Sequence, residues 1–327
     1  MDFLKAEQLF WLDDARARIR QAAGVGRMPH SLLMLSAPGL GVEFLARWTI
    51  AFALCDGAGQ RPCGVCASCL LLKADTHPDA LTVRIEEDAK QIKVEQVRAL
   101  IEALTLKSYR GGYKVGVIEG AELLNVNGAN AFLKTLEEPT QNTLLILTAN
   151  PNHRLPATVA SRCLRLTLRA PATDVARNWL NEHVGTGHDW DAALALAGGA
   201  PLLACDIDAA GLVSIDENMR AGLQQLSARE VDVTLLAEQW VRSHLQLRIL
   251  WLENWITSRV RASLGAGDSL SNANPVRLPA PQLRAKICQL YDFLDAARQF
   301  RRLSQTSMNQ QLALETLLLG GIEALSG

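Results

Sequence analysis

Four cysteines, Cys55, Cys63, Cys66 and Cys69, stand in the stretch "CDGAGQRPCGVCASC", with seven, two and two residues between successive members. Tetrahedral zinc takes four soft ligands, and a Cys-x-x-Cys turn presents two thiolates to one ion. Overlapping Cys-x-x-Cys turns also begin some iron–sulfur sites. The bacterial pattern then asks for another cysteine after three residues, and position 73 is Lys73. A thioredoxin-type pair uses two cysteines rather than four. His77 is a competing ligand, but four thiols already complete a tetrahedron. A structural zinc is expected at the four cysteines, because such a site leaves no open coordination position. Cys163, Cys205 and Cys288 are scattered and read as core residues.

A second candidate site is the glycine-bearing stretch "SAPGLGVEFLARW", directly after the apolar run "SLLML". Strand, glycine loop and helix in this order are the outline of a phosphate-binding loop, G-x-x-x-x-G-K-[ST]. Gly41 takes the second glycine position and Gly39 supports the turn, but Ser36 replaces the first glycine, Val42 the lysine and Glu43 the hydroxyl. Valine donates nothing to a phosphate, and a carboxylate facing a triphosphate is repulsive. The strand end "KVGVIEGAE" repeats the pattern of loss. Glu119 fills the slot of a magnesium-supporting carboxylate, Gly120 stands where a water-activating one belongs, and Glu122 lies two residues on. In "GGAP", Pro201 occupies the place where ATPases of this architecture put a lid arginine. An ordinary strand-to-helix turn containing glycines is the competing reading. A third candidate is Ser161-Arg162-Cys163, just before an apolar run; taken alone, Arg162 is a surface or capping arginine. No His-Glu-x-x-His or Gly-x-Ser-x-Gly stretch occurs, and nothing in the spacing points to a Ser-His-Asp arrangement.

The elements that must position these residues follow from hydrophobic periodicity. Short β-like runs lie at 31–36, 80–85, 114–119, 143–148 and 163–168, separated by helical patterns. In 93–106, Val94, Val97, Ile101 and Leu104 fall at helical spacing. In 125–139, Val126, Ala129, Leu133 and Leu136 do so, and Pro139 ends the pattern. Alternating strands and helices predict a mostly parallel sheet covered on both faces. Beyond Pro171 the strand signal disappears. Two short helices closed by "GGAP" are followed by a long helical stretch over 233–264, a Gly/Ser/Asn/Pro-rich loop over 265–281 and two final helices. Trp240, Trp251 and Trp255, at helical spacing among leucines, are expected in a core rather than on a stacking platform.

Bulk composition narrows the function classes. The 327 residues are 49% hydrophobic and 20% charged with a formal net charge of −1, as in globular proteins, and demand no polyanionic partner. Aromatic residues at 5% argue against a single-strand-binding surface built on base stacking. The N-terminus has no apolar core of signal-peptide length and the apolar runs elsewhere are too short to span a bilayer, so a cytoplasmic protein with reduced cysteines is expected.

The segments "SAPGLG", "CGVCASC", "KVGVIEGAE", "NGANAFLKTLEEP", "LLILTANPNHRLPATVASRC" and "NQQLALETLLL" together resemble the bacterial DNA polymerase III clamp-loader branch of the AAA+ family, over nearly the whole chain. The resemblance implies an α/β AAA+ module over 1–169 with the four-cysteine insert at 55–69. A small helical lid over 170–209 and an all-α C-terminal collar over 210–327 would follow. It implies that Arg162 is an arginine finger reaching the ATP of a neighbouring gamma/tau subunit. It implies as partners gamma/tau and delta subunits, the sliding clamp transiently, and primed DNA through the complex. Thr148 stands near the usual sensor position and is expected to be vestigial. No bound ATP is expected, given the defects at Ser36, Val42, Glu43 and Gly120. The competing readings are an active ATPase with an unusual nucleotide site and a zinc-dependent nucleic-acid-binding module.

Overall fold

A computed structural model describes residues 5–24, 28–86, 89, 91–151, 155–263, 281–304 and 309–325. These residues form two compact units, Met1–Ala176 with Ala200–Leu203, and Arg177–Gly199 with Ala204–Gly327.

The first unit holds α1 (Lys5–Gln8), α2 (Asp13–Gly24), β1 (Ser31–Leu35), α3 (Val42–Leu54), α4 (Ala67–Lys73), β2 (Ala80–Val83), α5 (Val94–Thr105), β3 (Lys114–Ile118), α6 (Val126–Glu137), β4 (Thr143–Ala149), α7 (Ala157–Ala160) and β5 (Leu164–Thr167). All five expected strands form. They make one parallel sheet in the order β2-β3-β4-β1-β5. The inner strands β1, β3 and β4 are buried almost throughout, as their unbroken apolar runs require of a sheet covered on both faces. Leu33, Leu145 and Leu147 share a core with Val97, Leu100 and Leu104 of α5 and Phe132 and Leu136 of α6. Strand residues alternate between faces, so Leu32, Leu144 and Ile146 point the other way. On that side α3 packs against β1, β3 and β4 and buries Leu45, Trp48 and Ala51.

Two helix faces differ from the spacing-based expectation. In α6 the buried positions are Ala129, Phe132 and Leu136, and Val126 is exposed because it is the first helical residue, ahead of the turn that meets the sheet. In α5 Leu100 joins Val97 and Leu104 in the core, Ile101 packs against it half-buried as the spacing implies, and Val94 is left out of it. Both shifts are a rotation of about one residue, within the width of an amphipathic stripe.

The second unit is helical. It takes most of α8 (Thr173–His183), then α9 (Trp190–Leu196), most of α10 (Pro201–Ala209), α11 (Leu212–Ser227), α12 (Val233–Arg242), α13 (Leu245–Ser263), α14 (Pro281–Leu303) and α15 (Gln310–Leu325). The helical stretch expected over 233–264 is two helices. Ser243 is extended and His244 is left-handed at φ 52°, which ends α12; the carbonyl of Ser243 is then taken by Arg248 Nε at 3.0 Å. Trp240 and Trp251 are buried as expected, while Trp255 is partly exposed and stacks on Trp251. Cys288 is exposed rather than core, and Cys163 and Cys205 are half-buried. The expected loop at 265–281 lies outside the described residues apart from Pro281. Among the described residues no single helix is long and apolar enough to cross a membrane.

Candidate functional site

The glycine loop runs from the end of β1 to the start of α3. Ser36 N donates to Ala149 O at 3.0 Å, which ties the loop to β4, and Ser36 Oγ turns back onto Ala37 O at 2.8 Å. Gly39 and Gly41 both sit at φ +78°, where any side chain is strained. Gly41 caps α3 with its carbonyl, which accepts from Phe44 N and Leu45 N at 3.1 Å. The space above these glycines is taken by the chain itself. A Cβ at Gly41 would meet Leu9 Cδ1 at 2.9 Å and Leu202 Cδ1 at 3.3 Å, and one at Gly39 would fall 2.3 Å from Leu203 Cβ. Leu202 N donates to Gly39 O at 3.2 Å, and Trp11 Nε1 donates to Leu40 O at 2.9 Å. Pro201 opens α10, where its fixed φ suits a first helical turn, and so delivers Leu202 and Leu203 to the loop. Val42 and Glu43 form the first turn of α3, where a lysine and a hydroxyl would be needed to hold a nucleotide.

The ends of β3 and β4 meet beside this loop. Glu119 pairs loosely with Arg84 at 3.8 Å. Gly120 is left-handed at φ +76°, and its N–H donates to Thr148 Oγ1 at 3.1 Å. Thr148 is therefore not idle. Its buried hydroxyl satisfies the turn that replaces an acidic residue. Glu122 accepts from Asn150 N at 3.2 Å and so ties the turn to the end of β4.

Arg162 lies in the turn between α7 and β5. Its carbonyl accepts from Ser31 Oγ at 2.8 Å, anchoring the turn to the start of β1. Its guanidinium meets Glu137 at the end of α6, with Nε donating to Oε1 at 2.8 Å and Nη2 to the same oxygen. Nη1 donates to Thr158 O at 2.9 Å. Ser161 closes α7, and Cys163 turns inward, with Sγ donating to Val159 O at 3.4 Å and its thiol pushed up by burial.

The four cysteines of the insert converge. Their sulfurs lie within 4.8 Å of one another, and Cys55 Sγ is 3.9 Å from Cys66 Sγ. Four thiolates on one zinc at about 2.3 Å would stand about 3.8 Å apart, so the residues fit the ion. Backbone amides already serve the sulfurs: Gly57 N and Cys63 N donate to Cys55 Sγ, Cys66 N to Cys63 Sγ and Cys69 N to Cys66 Sγ, at 3.3–3.4 Å. Amides of Val65 and Cys66 hold the Cys63 thiol down at about 6, whereas burial pushes Cys55 and Cys69 up. Lys73 reaches back to Gly64 O at 2.9 Å, a structural tie at the position where an iron–sulfur pattern needs cysteine.

Spacing alone missed a polar network beside this cluster. Asp79 N donates to His77 Nδ1 at 3.1 Å, which leaves the proton on Nε2, 3.2 Å from Ser68 Oγ. Ser68 in turn donates to Asp56 Oδ2 at 2.9 Å, and Arg110 donates to the same oxygen at 2.9 Å. Asp79 accepts from Tyr109 N at 2.7 Å and Arg110 N at 3.1 Å. Serine, histidine and aspartate are together, but with the polarity reversed from that of a nucleophile. Nε2–H donates a hydrogen bond to the hydroxyl, so the imidazole cannot act as the hydroxyl's base. The network clamps α4, which carries Cys69, onto the loop after α5. His77 is outside the cysteine cluster and serves that clamp.

The family model described as DNA polymerase III, delta subunit matches residues 12–172. The DNA polymerase III subunit delta' of Pseudomonas aeruginosa is 32% identical over 91% of this chain and 93% of its own length. That of Yersinia pestis is 33% identical over 97% and 96%. The DNA polymerase III subunit tau of Escherichia coli is 32% identical over 49% of this chain and 24% of its own. The tau likeness covers about half of this chain, whereas the delta' likeness covers 91–97% of it, and the chain belongs to the delta' subunit family of DNA polymerase III.

Proposed function

We propose that this chain is the non-hydrolysing, delta'-type subunit of a DNA polymerase III clamp loader, working in the cytoplasm. In this reading it helps place the sliding clamp on primed DNA and offers Arg162 to the ATP of an adjacent gamma/tau subunit. Delta is a further partner. DNA and the clamp are met through the assembled complex.

One observation carries the reading: Val42 and Glu43 replace the lysine and the magnesium-holding hydroxyl after the glycine loop, and Leu9 and Leu202 stand over it at contact distance. A triphosphate there would displace packed leucine side chains and meet Glu43. The complementary support is Arg162, whose backbone is fixed at the sheet edge while its guanidinium remains partly exposed. A guanidinium brought to a developing γ-phosphoryl charge makes turnover depend on subunit contact. The four-cysteine insert is assigned a zinc ion, held by Cys55, Cys63, Cys66 and Cys69, which stabilises the insert without entering the chemistry. The division into an α/β module ending at 169, a lid ending at 209 and a collar to 327 belongs to the same proposal.

The test is ATP binding and hydrolysis by the purified chain alone, then after addition of gamma/tau, delta and primed DNA. Silence alone and DNA-dependent hydrolysis in the mixture are expected. Turnover by the isolated chain would overturn the assignment.

A further inference from the structure

A cavity of about 500 Å³ opens between α2 and the edge strand β5, in the first unit. Three arginines line it, Arg18 from α2 and Arg165 and Arg169 from β5 and its continuation, with Asp14 as the one carboxylate. Leu168 N donates to Leu35 O at 2.8 Å, so the strand pairing extends past β5 and Arg165 and Arg169 emerge on the same side of the chain. Arg18 lies one helical turn after Asp14. Trp11, whose ring is fixed by its bond to Leu40 O, completes the wall, and Leu168 is buried beneath it.

The cleft gathers arginines that no carboxylate among the described residues partners, whereas several arginines elsewhere in this unit are paired. Arg16 is given Asp13, Arg110 is given Asp56 and Arg162 is given Glu137. Among the described ion pairs none contains Arg18, Arg165 or Arg169. Arg165, which lines the cavity, is instead positioned by a bond from Nε to Ala160 O at 3.2 Å. Three guanidinium groups converging on one concavity repel one another and raise the local positive potential. Arg18 is held in α2 and Arg165 in β5, and Arg169 directly follows the last strand-pairing bond at Leu168.

We propose that this cleft is a phosphate-binding site. Guanidinium forks match phosphate oxygens two at a time, and a ligand carrying more than one negative charge neutralises what Asp14 leaves over. The cavity has the volume of a nucleotide-sized ligand rather than of a folded partner. Two sources supply such phosphates, the backbone of a nucleic-acid strand or a free polyphosphate. Neither Arg162 nor Gly39 nor Gly41 lines the cleft, so the site stands whether or not the arginine-finger reading holds.

The experiment measures binding to the full chain of a fluorescent single-stranded 20-mer by anisotropy and of pyrophosphate by calorimetry, across a salt series. Arg18→Ala/Arg169→Ala should weaken the bound probe at least tenfold and flatten the salt dependence by about one to two phosphate contacts. Asp14→Asn should tighten it several-fold, a gain that misfolding cannot mimic. Oligonucleotide binding with no competition from pyrophosphate assigns a nucleic-acid backbone. Direct pyrophosphate binding that displaces the oligonucleotide assigns a free polyphosphate. If neither probe binds the native chain, or if both the double variant and Asp14→Asn bind as it does, the proposal is overturned.

Discussion

Glu137 Oε1 accepts hydrogen bonds from both Nε and Nη2 of Arg162, across 25 residues of sequence. The end of α6 and the turn before β5 are thereby joined through the side chain proposed to act on a neighbour's nucleotide. Thr158 O takes a third donor. The guanidinium is thus oriented within its own chain while half-exposed.

Arg162→Ala should lower the DNA-stimulated ATPase of the assembled loader by at least tenfold. It should change the unfolding free energy of this chain by no more than about 1 kcal/mol, since the ion pair is largely solvent-screened. Arg162→Lys should fail to rescue, because an ammonium cannot make the two-pronged contact. Steady-state ATPase together with chemical denaturation checks both parts. An unchanged ATPase would remove the finger assignment.

Restoring the missing side chains of the glycine loop should not restore nucleotide binding. Val42→Lys/Glu43→Thr supplies the lysine and the hydroxyl, but Leu9 and Leu202 remain over Gly41. Calorimetry with ATP and magnesium should give no heat of binding. Micromolar affinity in this variant would show that the leucines are easily displaced and that residue identity alone silences the loop.

Much of this was legible in the sequence, for definable reasons. Strands β1, β3 and β4 announce themselves because a sheet covered on both faces needs unbroken apolar runs. The cysteine cluster was legible because three of its members sit in short turns, where spacing constrains geometry. What escaped depends on contacts distant in sequence. The Glu137–Arg162 pair, the Arg110–Asp56 bond and the return of Leu202 to Gly39 have no local signature. The break at Ser243–His244 escaped because neither residue is proline or glycine, the usual punctuation of a helix end, although His244 is left-handed.

Removal of one thiol should release the metal without harming the sheet. Cys66 is the N-cap of α4 and accepts from Cys69 N, so Cys66→Ser keeps a capping oxygen but loses a soft ligand. The native chain is expected to carry one zinc per molecule and the variant well under half of that, by elemental analysis. Faster hydrogen exchange should be confined to residues 55–73. A native chain purified without metal would remove the zinc assignment.

The clamp at His77 makes stability depend on pH. Burial holds the imidazole below its ordinary range, and its Nδ1 accepts from Asp79 N, so folding requires the neutral form. In the unfolded chain the same group takes up a proton near pH 6.5. The unfolded state therefore binds more protons as pH falls below that value. The stabilisation is present above the unfolded pKa and is lost progressively as pH drops toward the lower folded one. His77→Asn keeps a side-chain acceptor for Asp79 N and removes the titration. Denaturation of the zinc-loaded proteins at pH 7.0 and 5.5 should show a steeper loss for the native chain than for the variant. Proton competition at the four thiols is common to both and cancels in that difference. Equal losses would mean that His77 takes up its proton as readily in the folded chain as in the unfolded one, and that the clamp owes its strength to Ser68, Asp56 and Arg110 alone.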